Sequence, residues 1–272
     1  MQTEPPQTEA TRKEPLHIEV DGRPVTDTSL STPAFLNYGH FTAMQVSDCR
    51  VRGLALHLAR LDSATRELFG AGLDGGHVCR LIRHALDAAG VRDASTRVYV
   101  HWPDGDDAAT VMVTVRPPAA PSGEPQSLMS VPYQRPVPHI KHLGGFGQIH
   151  YGRAAVRAGF DAALLTGPGG VIAEGDVTNI AFWDGTSAVW PDAPALTGIT
   201  MALIEPGLPS VRRRVTLDGL DAYRSAFVTN SRGISPVRRI DSTEFAVDEE
   251  LMRRVAEVYA SAPWDEIPAA AP

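Results

Sequence analysis

A lysine in an apolar, glycine-containing setting is the first candidate for chemistry. Lys141 lies in the segment His139–Gly145, and Lys13 is the only other lysine among the 25 basic residues. Partial desolvation lowers the pKa of a lysine and frees its amine to act as a nucleophile or to form a Schiff base. A codon bias towards arginine would produce the same scarcity of lysine, so a reactive and an ordinary role both stay open at this point.

An acidic residue at the end of an apolar strand is the second candidate. Glu174 follows Val171–Ala173 and precedes a turn at Gly175-Asp176. A carboxylate in that place could accept a hydrogen bond from a ring nitrogen or pair with a cation. The alternative is a strand-end acid that faces solvent, as most acidic side chains do.

Elements of an anion-binding cup occur in three further segments. In Leu196–Thr200 a glycine and two threonines precede a predicted helix at Met201–Ile204, where backbone N–H groups and the helix dipole favour phosphate. Thr229–Ser231 offers small polar groups after a strand, and the planar guanidinium of Arg60 suits phosphate. Each segment has an ordinary alternative, as a helix cap or as a solvated helical arginine.

Other chemistries find little support in the sequence. His139, His142 and His150 have no carboxylate or cysteine at a metal-ligand spacing, so we predict no metal site. Cys49 and Cys79 are too few for a disulfide framework and indicate a reducing, cytoplasmic setting. Nucleophile-elbow, P-loop and dinucleotide-binding motifs are absent.

The composition narrows the range of partners. The 272 residues carry 25 basic and 32 acidic side chains, and the net charge of -7 argues against a main role in holding nucleic acid or an anionic membrane. No apolar run is long enough to span a membrane, and the N-terminus lacks the apolar core of a signal peptide. We therefore expect a soluble intracellular protein.

Short strands and amphipathic helices must position these candidates. Hydrophobic residues recur at helical spacing from Leu54 to Leu68 and over His77–Ala89, and further helices are predicted at Gln148–Ala158 and Asp248–Ala260. Strands are predicted at Leu16–Val20, Ala43–Val46, Arg97–Trp102, Thr110–Val115, Leu128–Val131, Ala162–Leu165, Val171–Ala173, Asn179–Trp183, Ser187–Trp190 and Ala226–Thr229. This pattern predicts an α+β fold with a barrel-like second half.

A change in composition marks the domain boundary. Pro117–Pro125 holds four prolines and has the composition of a linker. The predicted division is a disordered tail at 1–15, a small domain at 16–118, a linker at 119–126, a second domain at 127–262 and a tail at 263–272.

Taken in chain order, these segments resemble the class IV aminotransferases, which are the fold type IV pyridoxal phosphate enzymes. That family includes branched-chain and D-amino-acid aminotransferases, R-selective amine transaminases and aminodeoxychorismate lyase. The resemblance covers residues 16–260 and rests on Tyr38–Thr42, His57–Leu61, Ile140–Leu143, Glu174–Ile180, Leu196–Thr200 and Ser235–Val237. It implies a small N-terminal α/β sandwich domain, a larger C-terminal pseudo-barrel domain, pyridoxal 5'-phosphate as cofactor, and a homodimer.

The resemblance also implies roles for single residues. Lys141 is similar to the lysine that holds the cofactor as a Schiff base and later moves the proton at the substrate carbon. Glu174 is similar to the carboxylate that keeps the pyridine nitrogen protonated, which makes the ring an electron sink. The implied phosphate-cup residues are Arg60, Ile199, Thr200 and Asn230, and the other implied cofactor contacts are Thr178 and Asn179.

Departures from the family pattern concern the substrate. Many members have an acidic residue in the segment that is Asn37–Phe41 here, and Phe146 stands where many transaminases have a tyrosine. The hairpin Pro103–Ala108 is acidic and has no arginine for a substrate carboxylate, so Arg135 is a candidate for that role. The other candidate substrate contacts are Tyr38 and His40.

The predicted function is a transaminase that moves an amino group between an amino acid or amine and a keto acid. A lyase that releases p-aminobenzoate and pyruvate from aminodeoxychorismate would use the same lysine and cofactor, and the sequence Lys141-His142-Leu143 leans towards that branch. A catalytically silent, cofactor-binding homologue is the alternative of another class.

Overall fold

The computed structural model describes residues 14–103, 107–119 and 123–268. The strands are β1 (His17–Val20), β2 (Arg23–Pro24), β3 (His40–Val46), β4 (Arg50–Arg52), β5 (Ala94–His101), β6 (Thr110–Arg116), β7 (Gln126–Val131), β8 (Ala162–Gly167), β9 (Val171–Gly175), β10 (Asn179–Trp183), β11 (Ala188–Pro191), β12 (Ser210–Arg213), β13 (Ser225–Asn230), β14 (Gly233–Ile240), β15 (Thr243–Glu244) and β16 (Trp264–Glu266). The α-helices are α1 (Asp27–Phe35), α2 (Leu54–Phe69), α3 (Gly75–Ala88), α4 (Phe146–Arg157), α5 (Ile199–Ile204) and α6 (Glu249–Ser261). Short 3₁₀ helices cover Pro168–Gly170, Glu205–Gly207 and Leu217–Ala222.

The first domain is an antiparallel sheet with helices packed against it. Its strand order is β2-β1-β6-β5-β3. Buried and partly exposed residues alternate along β3, and α3 buries a stripe at helical spacing that includes Val78, Ile82 and Ala85. These two periods bring one face of the sheet and the apolar faces of α2 and α3 into a single core.

The second domain is built on a longer sheet that curls into a half-barrel. Its strands follow the order β12-β11-β10-β13-β14-β7-β8-β9 and mix parallel with antiparallel pairs. One core joins residues from distant strands, such as Leu128 and Phe182. Another core, which contains Trp190 and Phe227, lies between the sheet and the helices α5 and α6. The curl places strand ends and α5 close to the first domain.

The predicted α+β class, with a small first domain and a barrel-like second one, is confirmed. Each helix and strand named from the sequence is present, with ends that differ by a few residues. The predicted linker separates β6 of the first sheet from β7 of the second. Residues 1–13 of the predicted N-terminal tail, 104–106 of the acidic hairpin, 120–122 of the linker and 269–272 of the predicted C-terminal tail lie outside the described residues.

The C-terminal end requires a correction. We predict a tail at 263–272, whereas Trp264–Glu266 forms β16 against β4 and Ile267 is fully buried in the first domain's core. A three-residue strand is too short to show a period, and the isoleucine stands apart from other apolar residues. The strand β14 also escapes prediction, because Pro236 and neighbouring arginines hide its alternation. Across the described residues, no helix has the length and apolar character needed to cross a membrane.

Candidate active site

Lys141 is held against the first domain by backbone hydrogen bonds. Phe41 N donates to the Lys141 carbonyl oxygen at 2.9 Å, and Leu143 N donates to the Gly39 carbonyl oxygen at 2.9 Å. Gly39 makes this approach possible, because a Cβ at that position would lie 2.9 Å from Leu143 Cδ1 and 2.6 Å from the Val100 carbonyl oxygen. The lysine thus lies where the start of β3 meets the connection between β7 and α4.

The Lys141 amine is desolvated and lies among other charges. Its Nζ is 4.9 Å from the centroid of the Phe41 ring. Burial, followed by the charges of Arg60 and Arg135, lowers the pKa of Lys141 to about 8, while the Glu174 carboxylate opposes the change. A lysine with this pKa supplies far more neutral, nucleophilic amine near neutral pH than an exposed lysine does.

Glu174 is the penultimate residue of β9 and is buried together with Arg135. Arg135 Nε donates to Glu174 Oε1 at 2.7 Å, and the two side chains are only 2% and 7% exposed. Leu196 N donates to the second carboxylate oxygen at a longer 3.3 Å. Burial raises the pKa of Glu174, and Arg135 opposes that rise. One oxygen therefore has a charge-assisted hydrogen bond, and the other retains capacity for a further donor.

Arg135 also holds the loop that leads to Lys141. Its guanidinium donates to the carbonyl oxygens of Ile140, at 3.4 Å from Nη1, and of Pro138, from Nη2. Within this loop Val137 has φ of 43°, a region that is unfavourable for a β-branched residue. The arginine therefore couples the position of the lysine loop to that of Glu174.

Arg60 extends from α2 to the second domain. Its Nη2 donates to the Thr197 carbonyl oxygen at 2.7 Å. Burial, followed by the charge of Arg135, lowers the pKa of Arg60 to about 10, so the side chain stays protonated at neutral pH. Arg60, Arg135 and Lys141, here called the cation cluster, outweigh the single negative charge of Glu174. This excess of positive charge suits a phosphate group.

The predicted phosphate cup lies where α5 begins. Gly198 is extended and precedes Ile199, the first residue of this short helix, without any side-chain cap. The first N–H groups of a helix have no partner within it and face outwards. Thr200 Oγ1 donates to the Asn230 carbonyl oxygen at 2.8 Å and joins α5 to the end of β13. The four residues named here thus meet in one place.

Asn179, which follows Thr178 in the chain, contacts the same cup. Asn179 Nδ2 donates to the Leu196 carbonyl oxygen at 2.6 Å, and a Cβ on Gly198 would lie 2.0 Å from Asn179 Oδ1. The Oγ1 atoms of Thr178 and Thr229 are buried without a hydrogen-bond partner. Buried hydroxyls of this kind usually find a partner. Together with the cation cluster, they fit the phosphate and ring of pyridoxal 5'-phosphate.

His40 does not belong to this site, which corrects its predicted role as a substrate contact. Its side chain is 1% exposed inside the first domain. Nε2 lies 3.0 Å from Thr65 Oγ1, and it must donate, because that hydroxyl already donates to the Leu61 carbonyl oxygen. Burial lowers the pKa of His40 to about 4. The imidazole is therefore neutral and enclosed.

The other two candidate substrate contacts have different outcomes. Arg135 is not free to bind a substrate carboxylate, because its guanidinium is occupied by Glu174 and by loop carbonyl oxygens; this corrects the predicted role. Tyr38 is 52% exposed, and its hydroxyl donates to the Leu68 carbonyl oxygen at 3.5 Å. It remains a candidate that the structure leaves accessible.

Arg97 is a cation that our sequence reasoning missed. It is exposed on β5, and its charge is one of those that lower the pKa of Lys141. Its Nη1 lies 3.4 Å from the Tyr99 hydroxyl, and the Tyr99 ring stacks on Phe41 at 5.5 Å. The alternation of β5 places Arg97 and Tyr99 on one face, which is the signal that could have identified them. Among the described residues, no group of His, Cys, Asp and Glu side chains could hold a metal ion.

Comparison with known proteins shows the family to which the chain belongs. The family model of amino-transferase class IV matches residues 39–240, which span the cup, the lysine and Glu174. The chain belongs to the class IV aminotransferase family. No curated protein matches it at a significant level.

Several solved structures share the fold of this family member. A branched-chain amino acid aminotransferase from Escherichia coli is 18% identical, with a TM-score of 0.79 over 93% of this chain and 99% of the other. A hypothetical aminotransferase from Mycobacterium tuberculosis in its PLP-bound form is 17% identical, with a TM-score of 0.77 over 90% and 98%. The fold IV-transaminase CpuTA1 from Curtobacterium pusillum is 22% identical, with a TM-score of 0.74 over 84% and 86%. At these identities the likeness concerns the fold.

Proposed function

We propose that the chain is a pyridoxal-phosphate-dependent transaminase that moves an amino group between an amino acid and a keto acid. The observation that carries this proposal is the desolvated Lys141 amine beside Arg60, Arg135 and the buried Glu174. An ordinary surface lysine would have neither the lowered pKa nor these neighbours. Family membership and the transaminase folds among the similar structures support the same assignment.

Different residues of the site would bind the phosphate and the ring of the cofactor. The phosphate would be held by Arg60, by the N–H groups of Ile199 and Thr200, and by the segment at Asn230, whose carbonyl oxygen accepts a hydrogen bond from Thr200. The carboxylate of Glu174 would face the ring nitrogen through its less occupied oxygen. When bound, pyridoxal phosphate supplies an electron sink for the bond that breaks at the substrate carbon.

Lys141 performs the proton transfer in this proposal. Its pKa of about 8 is close to the working pH, which is where a general base is most effective. Its backbone is tied to β3 and to Arg135 through the lysine loop, so the amine returns to the same place after each transfer. The neighbouring Phe41 ring shields the amine from water on one side.

Arg97 is our candidate for the substrate carboxylate. It is the exposed cation near Lys141, in contrast to Arg135, whose donors are occupied. An arginine near the amine would orient an amino acid through a planar, two-point ion pair. This favours an amino acid over a simple amine as donor. In Arg97→Ala we expect the KM for amino acids to rise while turnover of amines changes little.

The assembly and the compartment follow as further parts of the proposal. The helix α4 exposes an apolar stripe in which Phe146 is 81%, Ile149 58% and Val156 47% exposed. Such a stripe suits a second copy of the chain in a homodimer. Cys49 and Cys79 are buried free thiols, which agrees with a reducing cytoplasm.

A donor screen followed by absorbance tests the function. Purified protein with pyridoxal phosphate should show a visible band that an amino donor bleaches and a keto acid restores. In Lys141→Ala the band should disappear and the half-reaction should slow by about 10³-fold, as expected when a catalytic proton-transfer group is lost. Lys13→Ala, which removes the other lysine, is the matched control and should behave as the parent protein.

Two results would contradict the transaminase assignment. Pyruvate release from aminodeoxychorismate, with no donor converting the cofactor, would identify the lyase alternative. A protein that stays colourless with added pyridoxal phosphate would exclude both enzymes and leave the silent homologue.

A further inference from the structure

The helix that carries Arg60 is capped by a residue from the opposite end of the chain. The residue before α2 is Gly53, which has a left-handed backbone with φ of 71° and no side chain to serve as a cap. Instead, Leu54 N donates to Asp265 Oδ2 at 2.8 Å. A carboxylate at a helix N-terminus pairs with an otherwise free N–H and with the positive end of the helix dipole.

Asp265 belongs to a segment, Trp264–Ile267, that we call the C-terminal strap. Its strand β16 pairs with β4, and Ile267 N donates to the Cys49 carbonyl oxygen at 3.0 Å. Ile267 is fully buried in the first domain. The strap therefore returns the chain from the second domain to the first and fixes Asp265 there.

Arg52 binds the start of the strap through its guanidinium. Its guanidinium lies 4.1 Å from the Trp264 ring and 4.9 Å from the Tyr259 ring. It also donates to the carbonyl oxygens of Ala262 at 3.2 Å and Ala260 at 3.4 Å. These contacts join the end of α6 in the second domain to β4 in the first.

The start of α2 also contacts the phosphate cup directly. A Cβ on Gly53 would lie 3.2 Å from Ile199 Cγ2 and 3.4 Å from Leu203 Cδ1, both on α5. Two turns further along α2, Arg60 reaches the Thr197 carbonyl oxygen. The helix α2 thus meets the cup at two points.

The helices α5 and α6, the strap and α2 are connected by contacts that run through both domains and return to α5. Leu251 and Val255 of α6 pack with Met201 and Ile204 of α5, and α6 leads into the strap that caps α2. The strap therefore sets α2 relative to α5.

We propose that Asp265 of the C-terminal strap is a positioning residue that holds α2 so that Arg60 lies over the phosphate cup. The proposal rests on the proposed function, since it assigns a phosphate of the cofactor to that cup. It predicts that the strap contributes to binding of the phosphate and leaves the attachment at Lys141 unchanged.

The test compares two aldehydes that differ only in the phosphate. The full chain, stripped of cofactor, is titrated with pyridoxal phosphate and with pyridoxal. The Kd for pyridoxal divided by the Kd for pyridoxal phosphate measures what the phosphate contributes to binding. In Asp265→Ala we expect this ratio to fall by about 5-fold, the equivalent of one lost helix cap. Asp265→Asn retains an acceptor oxygen and should restore most of the ratio.

Matched variants separate positioning from general destabilisation. Asp74 caps α3 of the same domain through Gly76 N at 2.9 Å, so Asp74→Ala should lower stability without changing the ratio. Ile267→Ala loosens the strap without touching the cap and should lower the ratio as Asp265→Ala does, which keeps the test valid if Asp265→Ala does not fold. Hydrogen exchange of the α2 amides should quicken in both strap variants.

The outcomes distinguish this inference from the proposed function. If Arg60→Ala lowers the ratio and both strap variants leave it unchanged, the strap proposal is wrong and the phosphate cup stands. An equal fall in Asp74→Ala would also overturn it. If Arg60→Ala itself leaves the ratio unchanged, Arg60 does not hold the phosphate and the strap proposal is wrong, whereas the transaminase assignment is tested separately by the absorbance screen with Lys141→Ala.

Discussion

Basic side chains are buried in two regions of this molecule, and burial has a different consequence in each. In the core of the first domain, burial lowers the pKa of His40 to about 4 and, with a smaller effect of Arg60, that of His57 to about 3. Both rings have a threonine hydroxyl within hydrogen-bond distance, His40 at 3.0 Å and His57 at 2.6 Å. They are neutral packing groups.

In the cleft between the domains, burial leaves the basic groups largely charged. The pKa values of Arg60 and Lys141 fall to about 10 and about 8, and part of each change comes from neighbouring cations. Uncompensated cations held together raise the free energy of the protein unless an anion joins them. Desolvation alone therefore does not identify a site; the second region differs because three cations lie around one buried carboxylate.

The largest expected effect is a loss of stability when the ion pair between Arg135 and Glu174 is broken. Arg135→Met should lower the free energy of unfolding by about 3–5 kcal/mol, because it leaves Glu174 buried without its partner. Urea denaturation measures the change. Arg212→Met removes an exposed pair with Glu205 and should cost less than about 1 kcal/mol. Similar losses in the two variants would show that the cleft pair is no different from a surface pair.

A pH series sharpens the assignment of His40 as a neutral packing group. The pKa of His40 is about 4 in the folded protein against an ordinary value of 6.5, so between these values the unfolded chain binds the extra proton. Its contribution to stability is complete above pH 6.5 and is lost as the pH falls towards 4, an effect of about 3 kcal/mol.

His57, with a pKa of about 3, loses stability over the same range, so His40→Gln should remove about half of the combined loss of the two histidines, as measured by unfolding between pH 4 and 7. A slope that does not respond to His40→Gln would place the titrating group elsewhere.

The smallest expected effect is a change in the pKa of Lys141 when a neighbouring positive charge is removed. Arg60→Gln removes a positive charge near Lys141, so the pKa of Lys141 should rise from about 8 by about one unit. The pH dependence of labelling by an amine-reactive reagent, read at Lys141 by peptide mapping, reports the change. Arg212→Gln serves as the distant control, and an equal shift in that variant would contradict the idea of a local cluster.

Elements whose apolar residues repeat regularly over many positions could be predicted from the sequence. Short strands that pair with distant segments could not. The helices α2 and α3 and the strands β5 and β6 follow the spacing of their apolar residues, because each buries one continuous face. The strap at Trp264–Ile267 has no period, and its partner β4 lies more than 200 residues away. Its place depends on how α6 ends and on space in the first domain's core.

The sequence by itself determined which residue types could do chemistry: a lysine between apolar and glycine residues, an acid at a strand end, and a glycine-threonine segment before a helix. Only the tertiary structure decided which of them share a cleft and which basic groups keep their charge. Arg135 became a partner of Glu174 and His40 a core residue, whereas Arg97 came to lie near the lysine. The physical reason is that charge and desolvation depend on neighbours brought together by folding, and residue spacing along the chain does not record them.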